Sequence, residues 1–292
     1  MSADGTGRAP EAAVTAAGYR ARRTLPLRVE LLRQLLRRRT VITFGLLLAL
    51  PWVLIAAFQI GGGDDEGTAV SLVDLATGGA LNFTVFTMLV SSSFLLVVVV
   101  ALFFGDTVAS EANWSSLRYL LAAPVPRSRL LRQKLLVALV LSAAALAVLV
   151  VMTLVSGAVV YGWNPLTLPG GGAELPAGEG LGRVALIVGY AFVNLAVVAG
   201  AAFLLSVATD SPLGAVGGAV AMIIVSNILD AVEALGDWRQ ALPGHWGFAW
   251  LDALAPTVSY DQMTTGAVVS LSYAVVLFAW AFRRFRSADV VS

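Results

Sequence analysis

Six apolar runs, none containing Asp, Glu, Lys or Arg, constrain this chain more than any other feature. They lie at about Val41–Ile60, Phe83–Gly105, Leu135–Gly162, Val184–Ala208, Leu213–Leu229 and Thr264–Phe282. A helix needs about 20 such residues to cross the hydrocarbon core of a bilayer, and most of the runs reach that length. A charged side chain at the centre of a span costs roughly 2.5–3.5 kcal/mol, so spans without one insert without that cost. The third run is long enough to tilt or to extend past the membrane, and the fifth is short and Gly-rich. The expected fold is an all-α polytopic membrane protein: one six-span domain over residues 25–292. Charged residues make up 13% of the 292, against roughly a quarter in soluble domains.

The arginines set the orientation. All basic residues except Arg183 and Arg239 fall before the first run, between the second and third, or after the sixth. With six spans these three segments share one side, which the positive-inside rule makes cytoplasmic, with both termini there. The opposite loops are acidic: Asp64, Asp65, Glu66 and Asp74 in the first, Glu174 and Glu179 in the second. Arginine-rich usage, with Lys134 the only lysine, fits a GC-rich bacterial genome and hence a bacterial cytoplasmic membrane. A cleaved signal peptide is not expected, because the first apolar run is too long and starts only at Val41.

Residues 1–24 are rich in Ala, Gly and Arg without apolar period and read as a disordered cytoplasmic tail. Leu25–Arg39 has an amphipathic pattern. Leu27, Leu31, Leu32, Leu35 and Leu36 fall on one side of a helix, and Glu30, Arg33, Gln34, Arg37 and Arg38 on the other. This predicts an interfacial helix whose arginines, Arg33, Arg37 and Arg38, anchor to lipid phosphates; the same arginines also serve as a topogenic charge cluster. Between the fifth and sixth runs, Trp238, Trp246, Phe248, Trp250 and Leu251 lie in a segment too polar to span. Tryptophan favours the membrane interface, so one or two short helices that dip into or lie on the outer leaflet are expected.

Chemistry is constrained mostly by what the sequence lacks. There is no cysteine, so disulfides, thiolate metal sites and cysteine nucleophiles are excluded. No GxxxxGK[ST] is present to cradle nucleotide phosphates. Net charge is +1, which gives no field favouring nucleic acid. The single histidine, His245, offers neither a metal cluster nor a protease pair. No ionisable group within the runs supports proton coupling. A six-span protein with neither an ionisable group in its spans nor a nucleotide site needs either an external energy source or no energy at all.

Polar groups in the runs are hydroxyls and amides. Thr84, Thr87 and Ser91 fall on one face of the second run, Asn194 lies mid-way along the fourth and Asn227 near the outer end of the fifth. They either line a transport cavity or make hydrogen bonds between helices, worth about 0.6 kcal/mol each. Gly214 and Gly218 have the GxxxG spacing that permits close helix packing.

The segment from Ser110 to Lys134, SEANWSSLRYLLAAPVPRSRLLRQK, is the long charged insert between the second and third runs. Asn113 is a good N-cap, and the residue before Pro124 leaves helical geometry, so a surface helix over Asn113–Ala123 is predicted. Glu111, Leu117-Arg118-Tyr119-Leu120-Leu121, Pro124-Val125-Pro126-Arg127 and Lys134 follow one another in this order. The arrangement resembles the permease subunits of type-2 ABC exporters, in which an acidic residue after the second span is followed by Gly-Thr-Leu, a leucine-rich turn, Pro-Val-Ser-Arg and a lysine. Here Trp114-Ser115-Ser116 stands where Gly-Thr is common, and Pro126 where Ser is common. The resemblance extends to the layout of the chain after Leu25. It implies a cytoplasmic coupling helix between spans two and three, with Glu111, Leu117, Arg118, Tyr119, Pro124 and Arg127 meeting a separate ATP-binding subunit. ATP and Mg would bind to that partner and no cofactor to this chain, and a second permease copy or a sister permease would complete the assembly. The alternatives are the membrane component of an ABC-like complex that signals or does mechanical work, and an intramembrane enzyme, which the missing catalytic groups disfavour.

Overall fold

The computed structural model of the chain describes residues 27–61, 72–113, 127–169 and 173–287. Ten α-helices dominate these residues: α1 Leu27–Leu35, α2 Arg38–Gly61, α3 Leu72–Thr77, α4 Ala80–Ser92, α5 Leu95–Asn113, α6 Arg127–Val160, α7 Ala177–Asn194, α8 Ala196–Ala208, α9 Pro212–Asp230 and α10 Asp261–Ser287. Five stretches are long and apolar enough to cross a membrane: α2, α6, the α7–α8 pair, α9 and α10. A sixth forms if α4 and α5, bent by 59° where they meet, are counted together. The second apolar run is therefore a broken helix. Its second half also runs beyond Gly105 and carries Asp106 as a buried helical residue.

Helix α8 lies at the centre, packed against α5, α9 and α10. A helix buried all round must be apolar all round. Here Val197 to Phe203 form an unbroken run of buried residues. Phe203 is sealed among Phe104, Phe278 and Phe282, with ring centroids 6.4, 5.7 and 6.2 Å away. Gly200 allows α10 to approach, because a Cβ there would lie 3.0 Å from the Leu277 side chain and 3.3 Å from the Ala274 backbone. Gly218 does the same against Leu205 of α8, at 2.8 Å. Gly214, its partner in the GxxxG spacing, meets only the local turn: its N–H donates to Ser211, the N-cap of α9, at 3.1 Å.

A two-residue hairpin, β1 Leu166–Thr167 with β2 Glu174–Leu175, pairs antiparallel with Leu166 opposite Leu175. Asn82 of α4 closes on it like a strand, donating to the Thr167 carbonyl at 2.8 Å and accepting from the Thr167 N–H at 3.1 Å.

The Trp-rich segment, expected to hold one or two short helices, folds as three short 3₁₀ helices, Glu233–Ala241, Pro243–Trp246 and Ala249–Leu254. They cap the ends of α7, α9 and α10. Trp250 is fully buried and Trp246 nearly so, whereas Trp238 is 79% exposed. Arg183 explains itself here: its guanidinium donates to the Ala253 and Ala255 carbonyls at 2.7 and 3.1 Å and pairs with Glu179 at 3.3 Å. Tyr190 donates to the Trp246 carbonyl at 2.7 Å, and Tyr273 to that of Ala241 at 2.9 Å.

Candidate functional site

Two polar places stand out, one at each end of the bundle. The first lies at the arginine-rich end, where α1 meets α5 and α6. The amphipathic segment is helical over Leu27–Leu35, and Glu30 and Gln34 of its polar face turn inward while Arg33 and Arg38 stay exposed. Glu30 and Gln34 are buried, while Leu27, Leu32, Leu35 and Leu36 are exposed, Leu36 by 72%. An outward leucine face beside the exposed Val41 and Ile42 of α2 is continuous with an apolar outer surface. The inward face meets charge. Glu30 lies 3.6 Å from Lys134 Nζ on α6, pairs with Arg33 at 2.9 Å and accepts from Gln34 at 3.1 Å. Burial pushes the Glu30 carboxyl up, but the Lys134 charge and the Arg33 and Gln34 hydrogen bonds outweigh it and hold the group below its ordinary value.

Asp106 is the second carboxylate of this cluster. Arg37, in the turn joining α1 to α2, donates to its Oδ2 at 2.7 Å and to Ser110 Oγ at 3.4 Å. Arg39 donates to Oδ1. A buried carboxylate is sustained by such charge-assisted donors. Ser206 of α8 accepts from the N–H groups of Val108 and Ala109, both at 3.0 Å, and so joins the central helix to the same stretch of α5. A narrow pocket between these elements is lined by Gln34, Arg39, Thr40, Asp106, Thr107 and Lys134. Arg33 and Arg37, expected at lipid phosphates, thus hold carboxylates, and Arg38 is exposed.

Of the residues expected in the loop between spans two and three, Glu111 and Arg127 have helical backbone, near the end of α5 and at the start of α6. Leu117, Arg118, Tyr119 and Pro124, with most of the predicted Asn113–Ala123 helix, lie outside the described residues. Asp106 and Lys134 sit on the two helices that enter and leave that loop.

The second place is a cavity at the opposite end. It forms where helices break: Ser92 and Ser93 at the α4–α5 bend, Asn194 at the end of α7, Asn227 on α9, and Gly244 and Phe248 of the 3₁₀ cap. None of the described residues lining it is ionisable. Non-helical backbone at membrane depth is tolerated where it is buried or faces a polar cavity, and this one is edged by hydroxyls and amides. Asn194 also donates to Ser270 of α10 at 3.1 Å. Thr84, Thr87 and Ser91 share a buried face, as their spacing predicts, but do not line this cavity. Thr84 and Thr87 donate to the Ala80 and Phe83 carbonyls of their own helix at 2.8 and 2.9 Å.

Above the cavity, Asp230 at the end of α9 meets His245 Nδ1 at 2.6 Å and Arg239 Nε at 3.4 Å. His245 is thus a hydrogen-bond partner of Asp230, and no group of three or more potential metal ligands occurs among the described residues.

The family model described as "ABC-2 family transporter protein" matches residues 27–224, from α1 well into α9 and more than half of the chain. The chain belongs to the ABC-2 transporter family. It is accordingly a multi-pass membrane protein and the permease type of component. No curated protein matches it. ABC-2 membrane proteins generally work with ATP-binding subunits and are typically the non-enzymatic part of the transporter. For an ABC-2 protein, the charged cluster and the helix-break cavity are the two sites that need a role.

Proposed function

We propose that this chain is the membrane subunit of an ATP-driven exporter in a bacterial cytoplasmic membrane. A separate ABC subunit hydrolyses ATP with Mg, and the 110–134 loop, on the cytoplasmic side with both termini, receives the resulting motion through Glu111, Leu117, Arg118, Tyr119, Pro124 and Arg127. The family match supports the reading. The single observation that carries the coupling part is that the two helices bounding this loop, α5 and α6, hold Asp106 and Lys134, both ion-paired to the N-terminal segment. A loop whose limbs are fixed so firmly transmits displacement rather than absorbing it. A second permease, the same chain or a sister, completes the path, and Arg38 on the exposed side of α1–α2 meets lipid.

The uncharged cavity at the helix breaks is the exit end of the path. Its few hydrogen-bonding groups in apolar walls suit an apolar substrate with an uncharged polar group. The orientation is tested with the cysteine-free chain: Asn227→Cys and Trp238→Cys should react with a membrane-impermeant maleimide added outside intact cells, and Ser287→Cys only after lysis. Labelling of Ser287→Cys in intact cells would contradict it. The coupling is tested by affinity purification. Arg118→Glu should lose the ATP-binding subunit that the wild-type chain retains, with membrane insertion unchanged, and full retention would sink the assignment.

A further inference from the structure

His245, the single histidine of the chain, sits beside the helix-break cavity. The 3₁₀ helix that carries it, Pro243–Trp246, lies flat on one face of α9. Its Gly244 N–H donates to Ser226 Oγ at 2.9 Å, and a Cβ on Gly244 would collide with the Asn227 side chain. Asp230 follows Ser226 by four residues and so shares that face. Its Oδ1 meets His245 Nδ1 at 2.6 Å and accepts from Arg239 Nε, in the Glu233–Ala241 helix, at 3.4 Å. One carboxylate oxygen thus fastens two parts of the cap to the end of α9. A carboxylate only accepts, so Nδ1 carries the proton of the histidine bond. Pro243 and Gly244 before His245, and Gly247 and Phe248 after it, line the cavity.

The charged and titratable groups on the elements packed against this helix are Asp230 on α9, Glu233, Asp237 and Arg239 on the first 3₁₀ helix, and Asp261 and Tyr273 on α10. Tyr190 of α7 reaches the Trp246 carbonyl. Among the described residues, Asp230 is the one that bonds His245. Histidine is the side chain whose ordinary titration falls between pH 5 and 8. The cap's other bonds, Tyr190 to Trp246, Trp246 Nε1 to the Gln240 carbonyl and Gly244 to Ser226, join groups that stay neutral over that range. The His245 and Asp230 side chains are 28% and 24% exposed, so protons from the surrounding water reach both. A proton from water taken up at Nε2 leaves the Nδ1 bond in place and turns it into a charge-assisted pair, about twice as strong as a neutral one.

We infer that His245 and Asp230 form a proton-sensitive latch: acid solution clamps the 3₁₀ cap over the helix-break cavity, and alkaline solution loosens it. The inference rests on the reading that this cavity is the outward end of the path, and it adds that outside pH regulates its opening. His245 acts through Asp230 and the cap backbone and touches no substrate.

The absence of cysteine makes the test clean. Spin labels at Phe94→Cys, by the α4–α5 bend, and Trp238→Cys, in the cap, are both at exposed positions. In the full chain in lipid nanodiscs, where one buffer bathes both faces, they report how firmly the cap is seated. The distance distribution should narrow roughly twofold from about pH 8 to about pH 5. His245→Asn keeps an amide donor but cannot charge, and should stay broad at both pH values. Asp237→Asn should keep the full response. A single nitroxide at Ser93→Cys, which lines the cavity, should collide severalfold less often with a water-soluble nickel chelate at the acid pH. Distances that do not respond to pH, or that still respond in His245→Asn, overturn the inference, as does a cap that narrows while access at Ser93 is unchanged. Should His245→Asn fail to fold, the wild-type chain still decides: with one histidine, its imidazole NMR signal titrates alone, and the narrowing must share its midpoint. Separate midpoints overturn the inference. If maleimide labelling in cells places the cap on the cytoplasmic side, the reading of the cavity as the exit falls, while the nanodisc distances still test the latch.

Discussion

Asp106 accepts a hydrogen bond from Arg37 at 2.7 Å across 69 residues of sequence, and this contact locks the entry to the first membrane helix onto the end of the second. Removing the carboxylate leaves Arg37 and Arg39 facing a buried site. Breaking a fully buried pair costs about 3–5 kcal/mol, but both arginines are partly exposed and part of that is screened by solvent. Asp106→Ala should therefore destabilise the folded chain by about 1–3 kcal/mol. Thermal unfolding in detergent, followed by tryptophan fluorescence, measures this, and an unchanged midpoint would show that the pair contributes no stability.

Glu30 gives a pH dependence with a definite sign. Its folded-state pKa lies below its ordinary value of 4.5, so the unfolded chain binds the proton more readily. The stability it contributes is full above that ordinary value and is lost as pH falls through the lower folded-state value. The unfolding midpoint of the wild-type chain should fall more steeply below pH 4.5 than that of Glu30→Gln, and should not differ in slope between neutral pH and pH 6. Parallel curves at acid pH would contradict it.

At the opposite end the cap depends on a glycine. A side chain at Gly266 of α10 would collide with the Trp246 ring and the Tyr190 hydroxyl. Gly266→Leu should cost about 1–3 kcal/mol, in the range of overpacked interiors. It should also red-shift tryptophan emission as Trp246 is pushed from its buried position. Gly217→Ala on α9, where an added Cβ meets nothing, is the control and should neither lower the unfolding midpoint nor shift the emission.

Tyr190→Phe tests how the cap is held. The Tyr190 hydroxyl donates to the Trp246 carbonyl at 2.7 Å in a buried setting. Its loss leaves that carbonyl without this donor and should cost about 1 kcal/mol. Hydrogen exchange should quicken across residues 240–254 and remain unchanged in α8.

How much of this was legible in the sequence depended on whether the signal was local. The spans were legible because charge-free apolar length is a property of consecutive residues. The register of α1 was legible from its leucine spacing, but its orientation was not: a stripe of Glu30, Arg33, Gln34 and Arg37 looks the same whether it faces water or Lys134. Asp106 stands one residue beyond an apolar run and reads as the start of a loop. Its partners lie 67 and 69 residues earlier, and nothing between them marks the pairing. The break after Ser92 has no Gly or Pro to announce it, only three consecutive serines. The tryptophans marked a special segment, but only packing against α7, α9 and α10 separates the buried Trp246 and Trp250 from the exposed Trp238. Asn194 and Asn227 share a cavity because α7 ends and the α4–α5 pair bends beside α9 there, which spacing within any one helix cannot express.

The most direct test of the central claim is ATP hydrolysis by the ATP-binding subunit, measured with and without this chain in lipid nanodiscs. The account predicts that the wild-type chain changes the subunit's hydrolysis rate severalfold and that Arg118→Glu abolishes the change. A rate that is the same with the wild-type chain, with Arg118→Glu and with empty nanodiscs would contradict it.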